Sequence, residues 1–157
     1  ASKLEGRKII AVPAQLKGKE SEYYGDTSGF ELSYDANLVL AQADFAFICS
    51  GTATLQAALI GTPFVLCYKA KAIDVFLARL FVRKLKHIGL ANIIFDFIRQ
   101  PALHAELIQD EVSTAALLAA YKDCDTSAFA DGCLKLKKYL SHGASANVAK
   151  ILLEKSH

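Results

Sequence analysis

Proline and glycine are scarce in this chain, 3 and 9 among 157 residues. With 53% apolar and 22% charged residues, that scarcity excludes a disordered chain, a collagen-like repeat and a low-complexity tail. Neither sign of charge is in surplus: 18 Lys and Arg face 16 Asp and Glu, a formal net charge of +2. Nucleic-acid binders usually carry a far more basic footprint, so no nucleic-acid partner is expected. Cys49, Cys67, Cys124 and Cys133 form no CxxC pair and no Cys/His spacing suited to zinc. Cys49 and Cys67 lie within the apolar runs FAFIC and FVLCY, and are expected to be reduced, buried core thiols of a cytoplasmic protein. Apolar runs stop short of the roughly 18 residues of a membrane span; the stretch 72–82 is broken by Asp74 and Arg79. The opening ASKLEGRKII lacks the apolar core of a signal peptide. A soluble single domain is expected, of a size that buries roughly 70% of its unfolded surface.

What is present alternates between two periods. Short apolar runs at 8–13, 45–49 and 63–68 predict buried strands, and 30–32 predicts a short one. The stretch 14–29 is polar and punctuated by Gly18, Gly25 and Gly29, which predicts loop with a turn of helix. Helices are predicted over 35–42 and 52–60, the second stopped by a left-handed Gly61. A long amphipathic helix is predicted over 72–85 from Ile73, Phe76, Leu77, Leu80 and Phe81. Residues 86–90 read as a strand entering a loop at Ala91-Asn92, with 93–97 continuing apolar. Helices are expected over 101–109, 113–122, 127–140 and 145–154, with Ser113, Ser127 and Ser145 as N-caps. Such alternation predicts an α/β fold: a Rossmann-like, mostly parallel sheet with helices on both faces and a helical C-terminal segment.

Open parallel sheets bind ligands beyond the carboxyl ends of their strands. The junction 49–54 turns a buried strand into a helix at Ser50-Gly51-Thr52. Glycine there admits a ligand to the backbone, and the helix start favours a phosphate, with the hydroxyls of Ser50, Thr52 and Thr54 as donors. The string matches neither GxGxxG nor GxxxxGK[ST], and Ser50 is not in a GxSxG elbow. An ordinary capped turn accounts for the same residues about equally well. Asn92 offers a donor and an acceptor to a base or ribose, although a turn former is the simpler account. Glu106 and Gln109 stand three apart on an expected helix face, where solvation is the commoner role. The histidines His87, His104, His142 and His157 have no carboxylate or nucleophile partner evident in sequence. No paired carboxylates suit general acid–base work. The helix at 72–85 is basic: Lys71, Arg79, Arg83, Lys84 and Lys86 oppose only Asp74. It is expected to pack its apolar face on the sheet, with attraction to anionic lipid left open.

Six elements in fixed order carry a family resemblance: SGTATLQ at 50–56, the turn Gly61-Thr62-Pro63, Tyr68-Lys69, a helix with Leu77, Arg79 and Val82, the loop Leu90-Ala91-Asn92-Ile93, and Glu106-Leu107-Ile108-Gln109. Together they resemble the carboxyl-terminal half of the lipid-A-disaccharide synthases, bacterial inverting glycosyltransferases of the GT-B class. The resemblance is strong over residues 30–110 and continues to the ends. It implies a partial, Rossmann-like UDP-sugar donor domain over 1–110, followed over 111–157 by the C-terminal helices of the same domain.

That family joins UDP-2,3-diacylglucosamine to lipid X, forming the β-1,6-linked lipid A disaccharide and releasing UDP. The resemblance implies a UDP-binding set of Ser50, Gly51, Thr52, Ala53, Gln56, Tyr68, Asn92, Glu106 and Gln109. The SGT turn holds the diphosphate, and its helix start stabilises the leaving UDP in place of a metal. Asn92 lies near the uridine or donor, and Glu106 and Gln109 border the cleft. No cofactor and no metal are implied, and the general base belongs to an amino-terminal half outside this chain. Gln56 stands where relatives have a Glu suited to the ribose hydroxyls, and Ala91 where they have Pro. The chain is expected to begin after the family's Gly-Ser-Arg turn, as an inactive fragment of a cytoplasmic enzyme peripheral to the inner membrane. An apolar face on the helices from about residue 127 is expected to favour a homodimer. Two other readings share these features: a different GT-B UDP-sugar enzyme, such as an N-acetylglucosaminyl transferase or an epimerase, and a non-catalytic module binding a partner or membrane. The TATLQ and LANII strings favour the synthase.

Overall fold

The computed structural model describes residues 4–69 and 86–140. The helices expected at 72–85 and 145–154 lie outside those residues. Ile9 and Ile10 open β1 (Ile9–Ala11), which pairs in parallel with β2 (Glu31–Ser33) in the register Ile9–Glu31 to Ala11–Ser33. Between them run a 3-10 turn (Ala14–Leu16) and the short α1 (Glu20–Tyr24), the helical turn expected within that loop. Arg7 clamps Glu31 with two hydrogen bonds of 2.7 and 2.6 Å on the exposed side of this pair. Next comes α2 (Ala36–Gln42), capped by Asp35, whose carboxylate accepts from the Leu38 amide at 3.0 Å.

A second sheet carries the site. β3 (Ala46–Ile48), β4 (Phe64–Tyr68) and β5 (Glu106–Ile108) run parallel in that order. Phe64, Val65 and Leu66 of the central strand are all buried, as a strand covered on both faces requires. The crossover from β3 to β4 is α3 (Gly51–Ile60), which stops at Gly61 with φ 104. Thr62, buried just beyond, donates to the Leu40 carbonyl at 2.6 Å and so ties the crossover to α2. Parallel strands alternating with helices make the mixed α/β arrangement expected of a Rossmann-like GT-B domain.

Three stretches differ from expectation, the first being 86–90, expected as a strand, where 86–89 run through bends and Leu90 already begins a helix. Residues 91–97, expected as a loop at Ala91-Asn92 and an apolar extension, belong to α4 (Leu90–Phe97). Its buried residues Ala91, Asn92 and Phe95 follow a helical period, too short a run to separate from a strand in sequence. Residues 101–109, expected as helix, instead end in β5, whose pairing with β4 is extended by Leu66 N–H donating to Ala105 at 3.0 Å. A three-residue edge strand leaves no periodic trace. Beyond it α5 (Thr114–Lys122) is capped by Ser113 as expected. α6 (Thr126–Tyr139) is capped by Asp125, not Ser127: the carboxylate accepts from the amides of Ser127 and Ala128 at 3.0 and 2.9 Å.

The core joins these layers. Ile48, Ala57, Phe64, Leu66, Phe95, Phe129 and Leu136 pack as one cluster, with the Phe64 and Phe129 rings edge to face at 5.7 Å. α3 packs against α2, α4 and α6, and α5 lies against β4. Complete burial of Leu66 and Leu136 contributes about 1.5–3 kcal/mol each. Cys133 belongs to this core, but Cys49 and Cys67 do not. Cys49 is exposed and Cys67 half-buried, which corrects the expectation of two buried core thiols. Both lie at the carboxyl edge of the sheet, beside the last register pair Ile48–Leu66.

Candidate functional site

Because β3, β4 and β5 are parallel, their carboxyl ends share one edge. That edge carries Ser50 after β3, Tyr68 at the end of β4 and Gln109 after β5. Ser50 is the N-cap position of α3, yet its side chain caps no backbone amide. Its hydroxyl meets that of Thr52 at 3.1 Å, and both residues are exposed. A ten-residue helix therefore opens toward solvent with its first amides unoccupied by any side chain among the described residues and two hydroxyls beside them, an arrangement suited to an anion. Ala53 lies half-buried in the first turn, and Tyr68 is 42% exposed. Gln109 begins a 3-10 turn with φ 56, a left-handed conformation that costs a non-glycine residue about 1–2 kcal/mol.

Behind this edge the remaining expected site residues form a scaffold. A Cβ on Gly51 would lie 2.7 Å from the Ile88 carbonyl oxygen. The glycine thus makes room for a neighbouring segment of the chain. The Ile88 amide donates to Glu106 Oε2 at 2.9 Å, and the Gly89 amide to Glu106 Oε1 at 3.1 Å. Glu106 is therefore the N-terminal anion of α4, held across the fold in β5. It is not on a helix face with Gln109, as the sequence reading had it.

Asn92, completely buried, completes the scaffold. Its Nδ2 donates to the His104 carbonyl and to Glu106 Oε1, both at 2.9 Å. Its Oδ1 accepts from the Leu103 and His104 amides at 2.8 and 3.3 Å. Thr54, also completely buried, donates to the Gly51 carbonyl at 2.6 Å and accepts from the Ala91 amide at 3.2 Å. Gly51, Asn92 and Glu106 are thus brought together through Ile88 and Gly89. Gln56 stands apart, its amide donating to Asn37 Oδ1 of α2 at 2.6 Å.

Two histidines missed in sequence join this cluster. His87 Nδ1 lies 3.6 Å from Glu106 Oε1 and its Nε2 3.9 Å from Asp96 Oδ2. These carboxylates are 19 and 9 residues away along the chain, and no local pattern pairs them with the ring. The His104 ring packs on Phe64 at 4.3 Å, with Nδ1 on the Ala105 carbonyl at 3.0 Å and Nε2 buried without a partner. Burial holds the His104 pKa below the ordinary histidine value, outweighing the Ala105 carbonyl and Glu106, which raise it, with the smallest effect a downward one from His87. The folded state therefore binds this proton less readily than the unfolded chain, whose histidine titrates near pH 6.5. Its stability contribution is complete above about pH 6.5 and is lost as the pH falls toward the lower folded value. Urea unfolding at pH 7.5, 6.5 and 5.5 is expected to show a stability loss in acid that is shallower in His104→Gln. The difference is at most about 1.4 kcal/mol per pH unit for one proton.

The two thiols stand beside the SGT turn. Cys49 Sγ and Cys67 Sγ are 3.6 Å apart, and Cys67 Sγ is 3.6 Å from the Ile48 carbonyl. The hydrogen bond from Cys67 lowers the Cys49 pKa to about 6, against an opposing effect of burial. The same bond, then burial, raises Cys67 above the ordinary thiol range. Among the described residues, no group of three or more His, Cys, Asp or Glu side chains is arranged to hold a metal ion.

Comparison with known proteins bears on the whole of this arrangement. A family model described as lipid-A-disaccharide synthetase matches residues 10–149. A lipid-A-disaccharide synthase of Campylobacter jejuni is 54% identical over 154 residues, covering 98% of this chain and 42% of the relative. Those of Helicobacter acinonychis and Helicobacter pylori are 47% and 46% identical over 152 residues, covering 91% of this chain and 42% of each relative. The chain thus spans about two fifths of the length of these curated relatives. A match that runs from β1 through the SGT turn and the Asn92–Glu106 scaffold past the end of α6 to residue 149 makes this chain a member of the lipid-A-disaccharide synthase family.

Proposed function

We propose that this chain is the sugar-nucleotide donor half of an enzyme that transfers 2,3-diacylglucosamine from UDP to lipid X. The observation that carries the reading is the exposed start of α3, where Ser50 and Thr52 hydroxyls flank amides that no side chain among the described residues caps. The roughly half unit of positive charge at a helix start favours the diphosphate, and favours it more as UDP leaves with its added negative charge. In this reading the lipid X 6-hydroxyl attacks the donor's anomeric carbon, the bond to the β-phosphate breaks, and the configuration inverts. The general base that takes the hydroxyl proton is proposed in the part of the enzyme outside this chain. Tyr68 and Gln109 border the nucleotide at the same sheet edge, and the Gln56 carbonyl oxygen accepts one ribose hydroxyl. Glu106 and Asn92 support the site from behind, through Ile88. Both substrates are acylated, so the enzyme is proposed to work peripherally at the cytoplasmic face of the inner membrane.

Ser50 caps nothing, so its loss separates binding from folding. In the full-length protein, Ser50→Ala is expected to weaken UDP binding about tenfold, the low end for a hydrogen bond to a charged group, with unfolding unchanged. Calorimetric titration with UDP checks the first and urea unfolding the second. Transfer assays with UDP-2,3-diacylglucosamine and with UDP-N-acetylglucosamine decide the substrate. Turnover of the unacylated donor alone would replace this reading with another UDP-sugar transferase.

A further inference from the structure

Cys49 follows β3 directly, one residue beyond the register pair Ile48–Leu66, and Cys67 lies one residue beyond Leu66 on β4. The two thiols therefore project from the same face of adjacent parallel strands, and their sulfurs are 3.6 Å apart. Neighbouring strands lie about 4.8 Å apart, inside the roughly 4.4–6.8 Å between α-carbons that a disulfide spans. Side-chain rotation alone can close the gap between the sulfurs. Cys49 is open to solvent and Cys67 half-covered, so an oxidant reaches the first while the second waits beside it. Neither the sugar transfer nor the scaffold behind the site uses either thiol.

We propose that Cys49 and Cys67 form a reversible disulfide site at the sheet edge, with Cys49 as the reactive thiol and Cys67 as the resolving one. The oxidant is a hydroperoxide. The Cys49 thiolate attacks the terminal peroxide oxygen, the O–O bond breaks, and Cys49 becomes a sulfenic acid while the peroxide leaves as an alcohol, or as water from hydrogen peroxide. The Cys67 sulfur then displaces hydroxide from the Cys49 sulfur. The S–S bond forms and the Cys67 proton departs with the hydroxide as water, so two thiols lose two electrons to one peroxide. A dithiol reductant reverses the product.

The hydrogen bond with Cys67 lowers the Cys49 pKa and so favours its thiolate. The other two cysteines lack that advantage: burial pushes Cys133 up to about 11 and raises Cys124. Because Cys49 immediately precedes Ser50, the crosslink tethers the SGT turn to β4.

The test treats the full-length protein with hydrogen peroxide near stoichiometry, caps the remaining thiols with iodoacetamide and maps peptides by mass spectrometry. The expected product is a Cys49–Cys67 linked peptide lacking two hydrogens, lost on adding dithiothreitol, with Cys124 and Cys133 still alkylated. In Cys67→Ser the link is absent and Cys49 is instead trapped by dimedone as a sulfenic acid. Full recovery of alkylated Cys49 and Cys67, at peroxide exposures that oxidise free glutathione, would overturn the proposal. So would a stable dimedone adduct on Cys49 in the unsubstituted protein, since Cys67 would then not resolve it.

Discussion

Replacing Asn92 with alanine is expected to lower the free energy of unfolding by roughly 3–5 kcal/mol, the cost of stranding several buried polar groups. The side chain is completely buried and makes four hydrogen bonds. Alanine leaves the Leu103 and His104 amides without their acceptor and the His104 carbonyl without its Nδ2 donor. Glu106 Oε1 loses its Nδ2 donor as well, in a side chain only 6% exposed, where an undercompensated charge is costly. Urea unfolding of the full-length protein gives the loss directly. A nucleotide contact alone would behave otherwise: Asn92→Ala would then leave unfolding intact and weaken only UDP binding. The buried geometry predicts a large stability loss whether or not UDP is present.

The same residue marks how far the sequence was legible. β3, α3, Gly61 and β4 were readable because each carries a signal within its own length. FAFIC and FVLCY are unbroken apolar runs, and glycine followed by proline separates helix from strand. The Ser113 cap of α5 was readable for the same reason. The stretch 86–108 was not, because its order comes from partners distant along the chain. Glu106 caps α4 from β5, and β5 is a strand only because β4 offers it a register. A helix whose N-terminal anion lies 16 residues downstream of its first residue has no local start signal.

The site divides along the same line. Ser50 and Thr52 are exposed where β3 turns into α3, the strand-to-helix junction expected from sequence. Asn92 and Glu106 carry the family pattern equally well, yet their side chains are spent on one another and on the backbone around them. A motif records that a residue is needed, not whether it faces a ligand or supports the residues that do. The thiols show the converse. FAFIC and FVLCY read as core, but Cys49, the last residue of the first run, is exposed and Cys67, the fourth of the second, is only half-buried. At the carboxyl edge of a sheet, an apolar context in sequence misjudges exposure.

Gly51→Ala is expected to destabilise the protein by about 1–3 kcal/mol, the usual cost of overpacking, although alanine is the better helix former by about 1 kcal/mol within a helix. Conformation is not the reason for glycine at this position, since Gly51 is not among the residues with positive φ, unlike Gly61 at φ 104. Space is the reason. The added methyl would stand 2.7 Å from the Ile88 carbonyl oxygen, a backbone atom that cannot rotate away. Ile88 is itself held by Glu106 through its own amide and that of Gly89, at 2.9 and 3.1 Å. Relief of the clash must therefore stretch the cap of α4 or push back the start of α3. That coupling has a measurable signature. In urea unfolding, Glu106→Gln weakens the cap that resists the shift, so the double variant is expected to lose less than the two single losses combined. Strict additivity, or a stable Gly51→Ala with impaired UDP binding, would instead reserve the glycine for close approach of a ligand. The expected shortfall ties the SGT turn, Ile88 and Glu106 into one mechanical unit, so that the charge behind the site helps to set the geometry of the turn in front of it.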